Sequence, residues 1–394
     1  MEYYYWLLSG GLLLMITAIA SRYASKLGVS SLLITLFIGL FLGNGYDFDF
    51  SFNFPLPTLR ISEIALCIII FAGGFESKWT KIKPIAIKGG LLATLGVLIT
   101  ALAVGLFAYW ALDWSLYSAL LLGTILSSTD AAAVFSILEH SNLKLKRGLS
   151  SILEFESGTN DPVAFLLTFL FIELALGNEF SFGMGLLIFF QSIGLGLISG
   201  WIAAKVTLYT GPLIKLKRGQ APIALLTSIV VIYATNMIIG GSPFLAMYVF
   251  GIILGNSPWQ NREVNLNFFE SLSWLMETLL FLLLGLQVFL QNIYNTLELG
   301  IIIALFLIFI ARPLAVFVSL VPFSKMKVRD KTFVSWVGLR GATPIVFGLM
   351  ALVHNTPQAE TIFSISFIVV VISILLQGQT TKYLAYKLKV VDHK

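Results

Sequence analysis

Seven residues in the first half of the chain combine groups that bind ions and protons within a strongly apolar stretch. They read Glu156-Ser157-Gly158-Thr159-Asn160-Asp161-Pro162 and supply two carboxylates, one amide and two hydroxyls. An apolar run, residues 163–172, follows directly and predicts that these groups lie inside a membrane. An Asp at that depth costs roughly 2.5–3.5 kcal/mol on insertion scales, so such residues normally face a cavity and mark an ion or proton pathway.

A helix through this stretch would place its polar groups on shared flanks. Glu156 and Asn160 are four residues apart, as are Ser157 and Asp161, so each pair stacks on one side of a helix. Pro162 lacks a backbone donor and is expected to loosen the helix just after Asp161. The alternative is a helix end at the surface, with Asn-Asp-Pro as its turn signal.

Two further stretches place polar groups within apolar segments. One is Ser127–Asp130 and the other is Gly338-Leu339-Arg340-Gly341-Ala342-Thr343-Pro344. Hard monovalent cations prefer oxygen ligands, which Asp130, Asp161, Thr129 and Ser157 would supply. Desolvation favours the protonated form of a buried carboxylate, which can release its proton when a cation arrives. The pattern therefore indicates cation–proton exchange at one site, while the alternative is that the aspartates only join helices.

Two arginines lie deep within apolar runs, and a buried guanidinium needs an acidic partner. Arg340 sits between glycines in an interrupted segment, and we expect its charge to offset a site carboxylate. Arg312 precedes a proline nearer a segment end, where a structural role is expected. The candidate partners are Glu154, Glu156 and Asp161. Glu63 and Glu277 are further intramembrane acids, for which functional and structural roles stay open.

The composition indicates a polytopic membrane protein. Of the 394 residues, 58% are hydrophobic and only 11% are charged, whereas about 25% charged is usual in soluble domains. The net charge of +5 is no sign of nucleic-acid binding, because what matters in such a chain is where Lys and Arg lie. The single cysteine, Cys67, excludes an internal disulfide.

Hydropathy predicts an all-α protein with about thirteen transmembrane segments. Lys and Arg cluster in alternate loops, which predicts that the N-terminus lies outside and the C-terminus in the cytoplasm. The expected location is the plasma (inner) membrane, as an integral protein. The segments are 3–20, 28–43, 59–75, 85–110, 115–138, 150–172, 183–209, 221–239, 243–255, 267–290, 300–321, 332–353 and 361–383.

The odd count allows a single transmembrane domain, residues 1–394, built from two inverted six-segment repeats. Repeat one would span about 1–174, a linker helix about 180–210, and repeat two about 219–388. The interrupted segments, the fifth and the twelfth, then occupy matching positions, as expected of crossed discontinuous helices at a transport site.

Three motifs resemble the signature stretches of the monovalent cation:proton antiporters, closest to the potassium/proton members of the NhaP-like branch. They are Ser128–Val134, Glu156–Pro162 and Gly338–Pro344. The resemblance covers essentially the whole chain. It implies a core domain and a dimerisation domain that move in alternating access, and a homodimer in membrane lipid.

The resemblance also implies the roles of the site residues. Asp161 would carry the cation or proton, and Asp130, Ser157 and Thr129 would complete the site. Asn160, Glu156, Arg340 and Thr159 would form a supporting network. The Asn-Asp pair is linked in this family with electroneutral exchange. K⁺ is favoured and Na⁺ remains open, no other cofactor is expected, and pH homeostasis is the implied role.

The sequence departs from the family at two places. Ala72 stands where relatives often carry an acid in segment three. Many potassium-type relatives continue into cytosolic regulatory domains, and none lies within this chain. The rival classes are an intramembrane aspartyl protease, which also needs two neighbouring aspartates, and a passive channel, which needs a continuous polar lining. The protease motif Gly-x-Gly-Asp does not match residues 159–161.

Overall fold

The structure is a computed structural model that describes most of the chain. The described residues are 2–27, 30–44, 52–130, 145–146, 148–177, 182–214, 217, 219–258 and 262–392. Within them the regular structure is entirely helical, which confirms the all-α prediction. The helices are α1 (Glu2–Leu27), α2 (Ser31–Leu42), α3 (Pro55–Glu76), α4 (Trp79–Ile82), α5 (Ala86–Leu112), α6 (Leu116–Ile125), α7 (Leu149–Ala175), α8 (Phe182–Ile214), α9 (Gln220–Ile239), α10 (Pro243–Gly255), α11 (Arg262–Leu286), α12 (Leu290–Ser319), α13 (Val328–Trp336), α14 (Ala342–Val353) and α15 (Ala359–Lys387).

Apolar content and length fit these helices to a bilayer. Among the described residues, eight helices are long and apolar enough to cross a membrane, and shorter apolar helices accompany them. Helix α8 covers the predicted segment 183–209 and is the least buried of the eight. Helix α12 begins at Leu290 rather than at the predicted Gly300, because a polar first stretch continues the helix instead of forming a loop. The count of thirteen segments and the two inverted repeats stay predictions.

Small residues bring two pairs of helices into close backbone contact. A Cβ added to Gly39 of α2 would overlap the carbonyl oxygen of Leu282 on α11, and one added to Gly285 would overlap that of Leu36. Helices α3 and α10 meet in the same way around Gly251. Small residues at such crossings are typical of membrane helices, whose association depends on close packing rather than on the hydrophobic effect.

The end of the chain is tied to the start of the site-bearing helix. The backbone N–H of Lys146 donates to the carbonyl of Val390 at 2.8 Å, and Leu145 forms an antiparallel bridge with Val391. Both valines are buried. The residues after α15 therefore contact the residues that lead into α7.

Candidate cation and proton site

Two interruptions of the helical backbone meet in the interior. Helix α6 ends at Ile125 and residues 128–130 have no regular secondary structure, while residues 337–341 separate α13 from α14. The backbone N–H of Asp130 donates to the carbonyl of Leu339 at 2.9 Å, so one interruption is joined to the other. The two interrupted segments predicted from the sequence are therefore in contact. The predicted continuation of the fifth segment to Leu138 lies outside the described residues.

Asp130 lies at the beginning of α14. A Cβ on Gly341 would overlap the carboxylate of Asp130, so only glycine leaves room for it there. Helix α14 starts at the next residue, Ala342, and its first backbone N–H groups have no partner within the helix. A carboxylate at this end is favoured by those donors and by the helix dipole. The site thus holds one acid against a helix N-terminus in the middle of the bundle.

Gly341→Ala is expected to disrupt this junction. The added methyl group has no space beside the Asp130 carboxylate, and overpacking of this kind costs about 1–3 kcal/mol. We expect a lower melting temperature together with loss of exchange in proteoliposomes. Gly73→Ala is the matched control, because a Cβ on Gly73 meets nothing within 4 Å. Equal behaviour of the two variants would contradict the close approach of Asp130 to Gly341.

Asp161 lies near the middle of α7, a helix of 27 residues, and is buried. The hydroxyl of Ser128 donates to its Oδ1, and the hydroxyl of Thr343 donates to its Oδ2 at 3.4 Å. Each interrupted segment thus contributes one donor to the same carboxylate. Neither Ser128 nor Thr343 was predicted as a site residue, although both belong to motifs singled out in the sequence. The available signal was a hydroxyl beside a helix break.

A second set of oxygens lies beside this carboxylate. The hydroxyls of Thr129 and Ser157 are 3.1 Å apart, and the side-chain amide of Asn160 donates to Thr129. The helical spacing predicted that Ser157 and Asp161 share a flank of α7. These contacts, together with that spacing, bring Thr129, Ser157, Asn160 and Asp161 into one cluster. Asp130 is close enough to Asp161 for an electrostatic interaction.

Two expectations for this helix differ from the structure. Thr159 was placed in the supporting network, but its hydroxyl donates to the carbonyl of Phe155 at 2.6 Å, one turn earlier on the same helix. It is not brought into the cluster. Pro162 was expected to loosen α7, yet the helix is continuous from Leu149 to Ala175. Tight packing of buried neighbours keeps the helix intact although Pro162 cannot donate to the preceding turn.

Glu156 forms a buried ion pair with Arg312. The Nη2 of Arg312 lies 2.6 Å from Oε1 of Glu156, and both side chains are at most 3% exposed. A π-helical turn, Leu307–Ala311, directly precedes Arg312 and shifts the register of α12 at this point. A Cβ on Gly338 would overlap the Nε of Arg312, so the interruption before α14 also makes room for this arginine.

Arg340 has partners other than the acid expected from the sequence. Its Nη1 donates to the carbonyl of Ser128 at 2.6 Å and to that of Ser127 at 3.3 Å. These carbonyls are free to accept because α6 ends just before them. The guanidinium, which lies in the interruption before α14, therefore supplies hydrogen bonds to the interruption after α6. Its backbone N–H donates to Ser373 Oγ at 2.9 Å. The negative charge of Glu156 is instead offset by Arg312.

Arg340→Ala is expected to leave the buried carbonyls of Ser127 and Ser128 without a donor. Loss of a donor from a buried acceptor costs about 1–3 kcal/mol, so the melting temperature should fall. Removing a positive charge near the site should also favour protonated Asp161 and move the pH–activity curve towards alkaline pH. Arg340→Lys should restore only part of both, because an ammonium lacks the planar fork. Unchanged curves for Arg340→Ala would exclude this arginine from the site.

The remaining intramembrane acids fall into different surroundings. Glu63 pairs with Arg60 at 3.0 Å and accepts a hydrogen bond from the Tyr233 hydroxyl at 2.7 Å, which favours a structural role. Glu154 accepts a hydrogen bond from Ser77. Glu277 of α11 is half-buried, and its carboxylate lies near enough to Asp130 for an electrostatic interaction. It therefore adds a third carboxylate to the neighbourhood of the site.

The site is a cluster of hard oxygens between two helix breaks. The carboxylates of Asp130 and Asp161 and the hydroxyls of Ser157 and Thr129 are ligands that suit a hard cation. A helical membrane bundle with such a cluster at two interrupted helices has the architecture of a secondary transporter. Comparison of the sequence with known families assigns the chain to a narrower class of transporter. The family model described as "Sodium/hydrogen exchanger, transmembrane" matches residues 11–387, and the chain belongs to this family.

Curated relatives carry antiporter names. The chain is 36% identical over 377 residues to the K(+)/H(+) antiporter NhaP2 of Shewanella oneidensis, covering 94% of this chain and 65% of the relative. It is 35% identical to the K(+)/H(+) antiporter NhaP of Alkalimonas amylolytica, with 96% of this chain and 66% of the relative covered. It is 30% identical to the Na(+)/H(+) antiporter NhaG of Bacillus atrophaeus, with 75% and 57% covered. The chain thus spans under two thirds of these relatives' length.

The fold is shared with a solved transporter. The sodium proton antiporter MjNhaP1 from Methanocaldococcus jannaschii at pH 8 superposes with a TM-score of 0.87, covering 98% of this chain and 99% of that chain. The two sequences are 24% identical. The likeness confirms the antiporter fold predicted from the motifs.

Proposed function

We propose that this protein exchanges a monovalent cation for H⁺ across the membrane, with both ions competing for Asp161. The observation that carries the proposal is the placement of this buried carboxylate between the two helix breaks, with a hydroxyl donor from each. A carboxylate in this position has a proton-bound state and a cation-bound state, and each excludes the other. Net exchange follows when the two states open to opposite sides of the membrane.

The neighbouring oxygens support the cation-bound state. In the structure, Ser128 and Thr343 direct their hydroxyl protons towards Asp161. When a cation replaces the proton, rotation of such hydroxyls turns oxygen lone pairs towards it. Asp130, Ser157 and Thr129 complete the oxygen set, and Asn160 orients Thr129 by donating to it. The cation is cargo and not a resident cofactor.

The charges around the site support one-for-one exchange. Asn160 precedes Asp161, so the adjacent position adds no second titrating acid. The buried acid one turn away, Glu156, is paired with Arg312 at 2.6 Å, so its charge is offset by a protein group and not by a transported cation. One monovalent cation for one proton is electroneutral. Exchange should therefore be insensitive to a membrane potential imposed with a gradient of a permeant anion such as thiocyanate, with the same cation concentrations on both sides of the liposome membrane.

K⁺ is the favoured cation and Na⁺ is the second candidate. The relatives from Shewanella oneidensis and Alkalimonas amylolytica are named K(+)/H(+) antiporters, whereas that from Bacillus atrophaeus is named a Na(+)/H(+) antiporter. The higher identity to the first two favours K⁺. The proposal includes a homodimer in the inner membrane, with the N-terminus outside, the C-terminus cytoplasmic, and a role in pH homeostasis.

Dissipation of a pH gradient in proteoliposomes tests the proposal. Addition of K⁺, Na⁺ or Li⁺ in separate titrations should collapse the gradient for at least one ion, and we expect K⁺ to act at the lowest concentration. Liposomes without protein and liposomes with Asp161→Asn are the controls. Failure of all three ions to move protons would overturn the antiporter assignment, and activity with Na⁺ alone would overturn the choice of K⁺.

A further inference from the structure

A cleft of about 390 Å³ opens at the end of the bundle where α5 and α7 begin and α12 ends. Its floor includes Leu149 and Ile152 in the first turn of α7 and Phe323 in the connection from α12 to α13. Positive loops predict that this end faces the cytoplasm. The cleft is distinct from the site at Asp161, because it lies at the first turn of α7, whereas Asp161 lies about three turns further along the same helix.

Its charged lining is mainly basic. Lys88, Lys325 and Lys327 line the cleft, against a single aspartate, Asp330, among the described lining residues. Asp330 is buried in the first turn of α13, a helix end at which a carboxylate is favoured. The Nζ of Lys88 lies 5.4 Å from the centre of the Phe323 ring, a cation–π contact that holds this lysine over the floor. An anionic ligand suits this lining.

Neighbouring apolar residues place the mouth of the cleft at the membrane boundary. Ile87, Val321 and Val328 are 72%, 66% and 67% exposed. In the sequence, Ile87 is next to Lys88 and Val328 is next to Lys327. Val321 directly precedes residues 322–327, which line the cleft. Strongly exposed apolar residues beside lysines are expected where protein meets both acyl chains and headgroups. A ligand with an anionic head and an apolar body fits these surroundings better than a free solute does.

We propose that this cleft binds the phosphate-bearing headgroup of an anionic phospholipid from the leaflet on the cytoplasmic side. Basic pockets between membrane helices on this side recognise such headgroups, and the leaflet itself is negatively charged. The three lysines hold the phosphate, and the floor of Leu149, Ile152 and Phe323 packs against the glycerol and upper acyl carbons. A bound lipid would therefore contact the first turn of the helix that carries Asp161.

Lipid retention and thermal stability test the proposal. The wild-type protein is placed in phosphatidylcholine nanodiscs with and without phosphatidylglycerol, and retained lipid is detected by native mass spectrometry after extraction. We expect phosphatidylglycerol to be retained and to raise the melting temperature. Lys88→Gln/Lys325→Gln/Lys327→Gln should weaken binding about 100-fold, since each lysine near an anionic surface contributes roughly a fivefold effect. The control Lys382→Gln/Lys387→Gln/Lys389→Gln removes the same charge at the same end of the bundle, outside the cleft.

Further variants separate loss of binding from loss of folding. Lys325→Gln/Lys327→Gln changes two exposed residues only and should still weaken binding, whereas replacement of the three cleft lysines by Arg should retain it. Equal loss in the cleft and control variants, or full retention by the cleft variant, would overturn the proposal. Stabilisation by inorganic phosphate equal to that by the lipid would overturn the assignment to a lipid.

Discussion

Asp161→Asn is expected to abolish cation–proton exchange while leaving the helical bundle folded. Asparagine keeps the volume of the side chain, and its amide can accept a hydrogen bond from one of the hydroxyls of Ser128 and Thr343 and donate to the other, but it carries no exchangeable proton and no charge for a cation. Transport should fall to the rate of liposomes without protein. The melting temperature should stay the same or rise, because the variant no longer buries a carboxylate.

Glu173→Gln provides the control for this substitution. Glu173 lies on the same helix, about three turns beyond Asp161, and the chemical change is the same. It should retain exchange close to the wild-type rate. Substantial activity in Asp161→Asn would contradict the assignment of Asp161, and equal inactivity of Glu173→Gln would show that loss of any acid from α7 stops transport.

Arg312→Ala is expected to produce the largest loss of stability among single substitutions in the polar interior. It leaves Glu156 buried and unpaired, and removal of one partner from a buried ion pair typically costs about 3–5 kcal/mol. The double variant Arg312→Ala/Glu156→Gln should recover much of this loss, because no unpaired charge remains. Thermal unfolding of the four proteins in one detergent gives the interaction energy as a double-mutant cycle.

An ion pair with one exposed partner serves as the control. Arg60 pairs with Glu63 at 3.0 Å, and the side chain of Arg60 is 56% exposed whereas that of Glu63 is 6% exposed. Arg60→Ala should cost less than Arg312→Ala, because Glu63 keeps its hydrogen bond from the Tyr233 hydroxyl and the place of the exposed guanidinium is open to solvent. If the two alanine variants were equally stable, the Arg312–Glu156 pair would have no special role in the interior.

The sequence was sufficient to predict the helical class, the polar stretches and the two interruptions. Each is a local property: hydropathy identifies a span, and Gly338, Gly341 and Pro344 mark a break within one. The flank shared by Ser157 and Asp161 also follows from helical spacing alone. The start of α12 at Leu290 did not follow, because its first residues are polar and hydropathy alone assigns them to a loop.

Partners between distant segments could not be predicted in the same way. Arg312 and Arg340 are both buried, and the sequence offers each of them the same acids. The rotation of α12 about its axis and the path of the chain between α13 and α14 decide the pairing. These depend on the π-helical turn before Arg312 and on the room left at Gly338. Thr343 contacts Asp161 only because the two helix breaks meet. Such contacts follow from tertiary packing and not from local sequence.

Proton release on cation binding tests the central claim most directly. Purified protein in detergent, in weakly buffered solution with a pH-indicator dye, receives K⁺ or Na⁺ at constant ionic strength. If the two ions compete for Asp161, the wild type should release about one proton per bound cation, and Asp161→Asn should release none. Cation binding without proton release, or equal release by Asp161→Asn, would contradict exchange at this carboxylate.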